Sequence, residues 1–293
     1  MTHATETLIL GLLVGGVYAL MASGLTLIFG VMNIINVAHG ALLVLAGLLT
    51  FELWRRFGVD PIAAAVVTTP VMFAVGWAIY RLFVARIRTA PVSMTVLLTF
   101  ALAITLEGAM GLTWKNVFRS VTPGYVNQSF HLGPFFFPKA QVFGCLAAAA
   151  VLAGLWLLLT RTWAGRAIRA ASENPQASAL VGVDFRGVAA LTFAIGVATT
   201  GAGGSILSVL YTLFPASHYL WISRLLGIVV LGGMGSLPGA VVGALILGVA
   251  EAFTATYVST RWATVVFYLV ILVILLVRPQ GLMGSRLRGD VAA

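Results

Sequence analysis

Long apolar runs separated by short polar ones dominate the chain. Residues 7–51 contain no Asp, Glu, Lys or Arg, which is room for two helical crossings at roughly 20 apolar residues each. The run is divided near GVMNIINVAHG, where Asn33, Asn36 and His39 interrupt it. Further apolar spans cover 61–80, 92–114, 140–160, 188–214 and 262–277. Between 222 and 257, glycine and proline break the pattern, and GGMGSLPG separates a short stretch, 222–234, from a longer one, 238–257. At about 1.5 Å per residue the short stretch reaches only part of a bilayer. The pattern predicts an all-α polytopic membrane protein with about eight or nine membrane segments, including broken or half helices. It forms a single transmembrane domain over 1–293, with 161–186 as a cytoplasmic loop inside it.

Composition agrees, with 60% of the 293 residues hydrophobic and 9% charged, against roughly a quarter charged in a soluble domain. The first apolar run has no basic residue before it and is longer than a signal-peptide core, so it is expected to remain as a helix. The single cysteine, Cys145, rules out a disulfide within the chain and reads as a small packing residue.

The net charge of +9 comes from 17 basic residues scattered among short loops, a distribution that suits membrane orientation better than a nucleic-acid face. They gather in RLFVARIR (Arg81, Arg86, Arg88), in the 161–186 loop, and in the tail (Arg278, Arg286, Arg288). The positive-inside rule assigns these to the cytoplasm. Arg55 and Arg56 then fall outside against the rule, and Glu52 and Asp60 offset them little. The amino terminus is expected outside and the carboxyl terminus in the cytoplasm. This requires an odd number of crossings, with GGMGSLPG turning inside the membrane boundary or at its cytoplasmic edge.

Broken membrane segments persist only where protein or a water-filled cavity surrounds their freed backbone groups. Asn33, Asn36, His39 and Gly40 in the first break, and Gly232, Gly233, Gly235 and Ser236 in the second, are therefore candidates for a translocation path. Capping of broken helix ends is the alternative reading. Gly40 permits close backbone approach or a positive φ, and His39 has no cluster of partners for a metal. Glu107 and Glu251 stand inside apolar spans, which makes them either functional or bonded to a neighbouring helix or subunit. The stretch 190–208 is rich in Gly, Ala, Ser and Thr, which suits close helix packing.

In the 161–186 loop, Asn174, Pro175 and Gly182 match an N-cap, a first helical residue and a terminal glycine. They predict a short helix over about PQASALV. Ala177, Leu180 and Val181 give it one apolar face, which something should cover.

Hydrolytic chemistry has no home here. A P-loop needs Gly-Lys-Ser/Thr, and the two lysines, Lys115 and Lys139, lie in Trp-Lys-Asn and Pro-Lys-Ala. No HExxH, GxSxG or paired-carboxylate pattern occurs.

Four stretches in order, GGVYALMASGLTLIFGVMNIINVAHGALLVLAG, RTWAGRAIRAASENPQASALVGVDFRGVAALTFAIG, VLGGMGSLPGAVVGALILGVAEAF and RPQGLMG, span nearly the whole chain. Together they resemble the branched-chain amino-acid ABC-transporter permease family, in particular its LivH-like branch. The resemblance implies a non-hydrolytic subunit of an ATP-driven importer for branched-chain or related amino acids in a bacterial inner membrane. The implied partners are a second, LivM-like permease, two cytoplasmic ATP-binding subunits that use the ATP, and an external substrate-binding protein; no cofactor is bound by this chain. It also implies that the loop couples to the ATPase through Arg166, Arg169, Glu173, Asn174, Pro175, Leu180 and Gly182. Here Glu173 precedes Asn-Pro, where the commoner importer signature has Glu-Ala-Ala before a glycine at short fixed spacing. From the residues alone, an ion-coupled secondary transporter or channel is the alternative, and a purely structural membrane scaffold is a third.

Overall fold

The computed structural model describes residues 2–87, 91–133 and 135–284. Arg88, Arg286 and Arg288, assigned to the cytoplasm from sequence, lie outside them. The described residues form α1 (Thr2–Met32), α2 (His39–Phe57), α3 (Pro61–Leu82), α4 (Val92–Trp114), the hairpin β1 (Ser129–Leu132) and β2 (Phe135–Pro138), α5 (Lys139–Arg161), α6 (Trp163–Glu173), α7 (Pro175–Leu180), α8 (Phe185–Leu210), α9 (His218–Gly232), α10 (Leu237–Tyr257) and α11 (Thr260–Val277). Seven of these helices, α1, α3, α4, α5, α8, α10 and α11, are long and apolar enough to cross a membrane.

The bundle has two ends. At the hairpin end, the Phe136 amide bonds Glu6 of α1, and Arg119 pairs with Leu213 just beyond α8. At the loop end lie α6 and α7, the close of α3, and the turn joining α9 to α10. The chain starts at the hairpin end, and its last described residues pack at the loop end, where Gly281 and Gly284 meet Gly233.

α8 is the central post, buried along most of its length against α1, α2 and α3. Small residues let it stand that close. A side chain on Gly24 of α1 would land on the Gly196 carbonyl, and one on Gly201 would come 2.6 Å from the Thr69 backbone of α3. Such packing replaces the hydrophobic drive that lipid does not supply between membrane helices. On α8, Ser205 lies 2.8 Å from the Thr50 hydroxyl of α2 and 2.9 Å from that of Thr68 of α3, whereas the buried Thr192 hydroxyl has no partner among the described residues.

The predicted spans shift where capping decides. α8 begins at Phe185, ahead of the apolar run at 188, because Asp184 accepts from the amides of Arg186 and Gly187. It ends at Leu210, and the residues that follow turn to pair with Arg119. The half helix expected over 222–234 is α9, running from His218 to Gly232 over 15 residues. The loop helix is α7, with Asn174 accepting from Gln176 and Ala177 at 3.1 and 3.0 Å and Pro175 in its first turn.

Candidate functional site

The first break starts at Asn33, whose φ of 52° stops α1, a left-handed position that Asn tolerates better than most residues. Non-helical chain continues to the start of α2 at His39. The His39 ring Nε2 lies 3.3 Å from the Met21 carbonyl. Met21 lies about 16 Å from the Met32 end of α1 at ~1.5 Å per residue, so α2 begins near mid-depth and runs to the hairpin end. The expected second crossing is therefore a half-depth helix entered by an extended segment. It continues to Glu52, with which Arg55 and Arg56 both pair.

Freed backbone groups in this segment are served by α4. The Thr99 hydroxyl lies 3.2 Å from the Val37 amide and 3.1 Å from the Ile35 carbonyl. Asn36 is fully buried with neither amide atom bonded, and the His39 ring Nδ1 is likewise unpartnered. Asn33 is exposed. The structure thus separates the three polar residues, one open and two enclosed in the bundle.

α9 begins where α2 begins. A side chain on Gly40 would come within 2.7 Å of the His218 carbonyl, so two interrupted helices meet by their amino ends. They then diverge, α2 toward the hairpin end and α9 toward the loop end. At the far end of α9, Gly233 and Gly235 take φ of 100° and 87°. Ser236 caps α10 by accepting from the Gly239 amide at 3.1 Å. Gly235 packs on Gly30, and Gly232 packs on the Gly239 backbone. The carbonyls of Leu231 and Gly232 accept from Leu282 and Met283 at 2.8 and 3.0 Å. The motifs GGMGSLPG and RPQGLMG are thus two sides of one turn.

Both intramembrane acids have partners on α9. The Glu107 carboxylate lies 3.0 Å from His218 Nε2. Glu251 on α10 lies 2.9 Å from Arg224, and both groups bond the Tyr18 hydroxyl of α1. Tyr211 lies 3.1 Å from that hydroxyl. The rings of Tyr18, Trp221 and Phe267 surround the guanidinium at 5.5–5.8 Å, which places a cation against aromatic faces. Sequence reasoning missed Arg224, although a lone arginine inside ISRLLGIVVLG was its visible signal. It also missed His218, an ionisable residue at the start of an apolar helix and so a visible signal, and Tyr18 and Thr99, which do not depart from an ordinary membrane-helix composition.

At the loop end, α6 buries Gly165, Ile168 and Ala171, and Arg166 stacks over Trp163 at 5.0 Å. Arg169 borders a largely apolar groove of about 810 Å³ between α1, α5 and α10. Glu173 and Asn174 lead into α7, and Gly182 follows it with φ of 83°. Leu180 and Val181 are 89% and 79% exposed, so the expected apolar face has no cover among the described residues.

The model of the family described as branched-chain amino acid transport system / permease component matches residues 7–275. The high-affinity branched-chain amino acid transport system permease protein BraD of Pseudomonas aeruginosa is 30% identical, over 96% of each chain. The corresponding protein LivH of Escherichia coli K12 is 31% identical, over 94% of this chain and 93% of its own. The fructose import permease protein FrcC of Rhizobium meliloti is 25% identical, over 73% of this chain and 61% of its own. No solved structure matches the chain.

Proposed function

The chain belongs to the branched-chain amino acid transport system permease family, and from that premise we propose that it forms the substrate path of an ATP-driven importer jointly with a second, LivM-like permease. As a permease component of an ABC importer it is a multi-pass inner-membrane protein. Branched-chain amino acids, the substrates in the names of BraD and LivH, are the proposed cargo. The observation that carries the path is the meeting of α2 and α9 by their amino ends at mid-depth, since interrupted helices inside a membrane line protein-enclosed or watery space.

In this reading the loop end faces the cytoplasm and the amino terminus lies outside. Arg81, Arg86, Arg161, Arg166, Arg169, Arg186 and Arg278 all belong to the loop end, as the positive-inside rule requires. Two ATPases dock beneath α6 and α7 and supply all the ATP chemistry. Leu180 and Val181 enter a groove on one of them, so that its closure pulls on α8 through the short link 181–184. An external binding protein delivers substrate to the hairpin end.

The test is copurification with the ATPases, followed by leucine uptake into proteoliposomes containing the assembled complex and binding protein. ATP-dependent uptake without a proton gradient supports the proposal. Uptake that follows a proton gradient and ignores ATP would instead favour ion coupling through the Glu107–His218 and Glu251–Arg224 pairs.

A further inference from the structure

α9 carries polar groups on two sides with opposite characters. Arg224 faces inward, 9% exposed at its side chain, and is paired with Glu251. On the other side Tyr219 is 45% exposed, and Ser223 follows one turn later, also exposed. The Ser223 hydroxyl bonds the Tyr219 carbonyl at 2.8 Å. Residues four apart share a helix face, so the two present one continuous polar strip.

Glu107 of α4 belongs to this strip. Its side chain is 25% exposed, and one carboxylate oxygen is held by the buried His218. The Tyr219 ring lies 4.0 Å from that of His218, so His218 stands between the tyrosine and this carboxylate and links the two. α4 contains no Lys or Arg, and the single arginine of α9 is spent inward on Glu251. The open face therefore bears a carboxylate, two hydroxyls and an aromatic ring beside the equally exposed Leu220, with no Lys or Arg turned to it from either helix that forms it.

Lipid is a poor cover for such a face. A carboxylate turned to hydrocarbon is costly unless it is bonded or wet. Water or a polar occupant suits it better. A carboxylate with remaining acceptor capacity, beside a tyrosine ring, is also what an ammonium ion selects, through a charge-assisted hydrogen bond and a cation–π contact.

We propose that the Glu107–Tyr219–Ser223 face looks into the translocation path, and that Glu107 receives the ammonium group of the permeant while His218 positions the carboxylate. This rests on the permease reading and adds to it the wall of the path that meets the permeant's protonated amine, and the residue that receives it.

The experiment uses the assembled complex in proteoliposomes, with Ser223→Cys introduced in a Cys145→Ala background. The introduced thiol is expected to react with aqueous methanethiosulfonates in at least one nucleotide state. The cationic reagent should outpace the anionic one by roughly tenfold beyond their ratio on a free thiol, because of the neighbouring negative charge. Glu107→Gln in the same protein should abolish that preference while leaving the thiol reactive. Saturating leucine should slow modification, whereas its 2-hydroxy analogue, which lacks the amine, should not. A thiol silent in every state, a charge preference that survives Glu107→Gln, or equal protection by the hydroxy acid would each overturn the proposal. ATP-driven leucine uptake by the unaltered complex is scored separately, so failure of the permease reading is distinguishable from failure of this site.

Discussion

The guanidinium of Arg224 lies 2.9 Å from the carboxylate of Glu251, joining the half helix α9 to α10. The pair is enclosed by Tyr18, Trp221 and Phe267. Removing one member of an enclosed ion pair strands the other, at about 3–5 kcal/mol. Glu251→Leu is therefore expected to lower the melting temperature of the purified complex and impair leucine uptake. Glu251→Gln keeps a hydrogen-bond acceptor for Arg224 and should retain uptake. Arg224→Met combined with Glu251→Leu should recover part of the stability that Glu251→Leu loses, since an apolar pair leaves no charge unpaired. Melting curves of the three variants decide it; a double variant no better than Glu251→Leu would contradict a paired role.

Leu180→Asp places a charge on the uncovered face of α7 without disturbing the Asn174 cap. The expected outcome is normal insertion and yield, with leucine uptake falling at least tenfold, since a charge forced into an apolar docking contact costs well over ~1.4 kcal/mol. ATP hydrolysis and uptake measured on the same vesicles should no longer rise together. Undiminished uptake would remove α7 from the coupling route.

The first break offers a graded accessibility test. Asn33 is exposed, whereas Asn36 and His39 are fully buried. In a Cys145→Ala background, Asn33→Cys should react with a small aqueous thiol reagent in the resting complex, and Asn36→Cys only during ATP turnover. Equal rates at the two positions with and without ATP would argue against a moving boundary there.

Much of this was legible in the sequence, because a break in a membrane helix must show itself as polar or helix-breaking residues. Asn33 to His39 and GGMGSLPG mark two interruptions, and Asn174-Pro175 marks the start of α7. The depth of the first interruption was not legible. It depends on α2 meeting Met21 and His218, contacts between segments far apart in the chain. Pairing was hidden for the same reason: Glu251 stood out as an acid in an apolar run, but nothing local links it to Arg224 or Tyr18. The β1–β2 hairpin was also missed. Its strands are four residues each, and although SFHL alternates polar and apolar residues, its partner FFFP does not.

Gly24 sets a test of packing. A methyl group there meets the Gly196 carbonyl and the Thr199 hydroxyl, whereas Gly154 on α5 has open space around it. Gly24→Ala should destabilise the purified protein by about 1–3 kcal/mol or more, the usual cost of overpacking, while Gly154→Ala leaves the melting temperature within error. Thermal melting monitored by size-exclusion chromatography separates the two, and equal melting points would mean that α1 and α8 can part at little cost.

The seam between α1 and α10 has a consequence for how the protein is made. Gly15 of α1 rests against Leu245, and Gly248 of α10 rests against Gly15, although the two helices lie at opposite ends of the message. Ribosomes add roughly 5–20 residues per second, so α1 enters the bilayer tens of seconds before its principal neighbour exists. Throughout that interval its glycine stripe and the Tyr18 hydroxyl must be sheltered by something other than their final partners. Translation pausing or an insertase that retains the first helix would therefore govern the yield of this permease more than that of one built from consecutive hairpins.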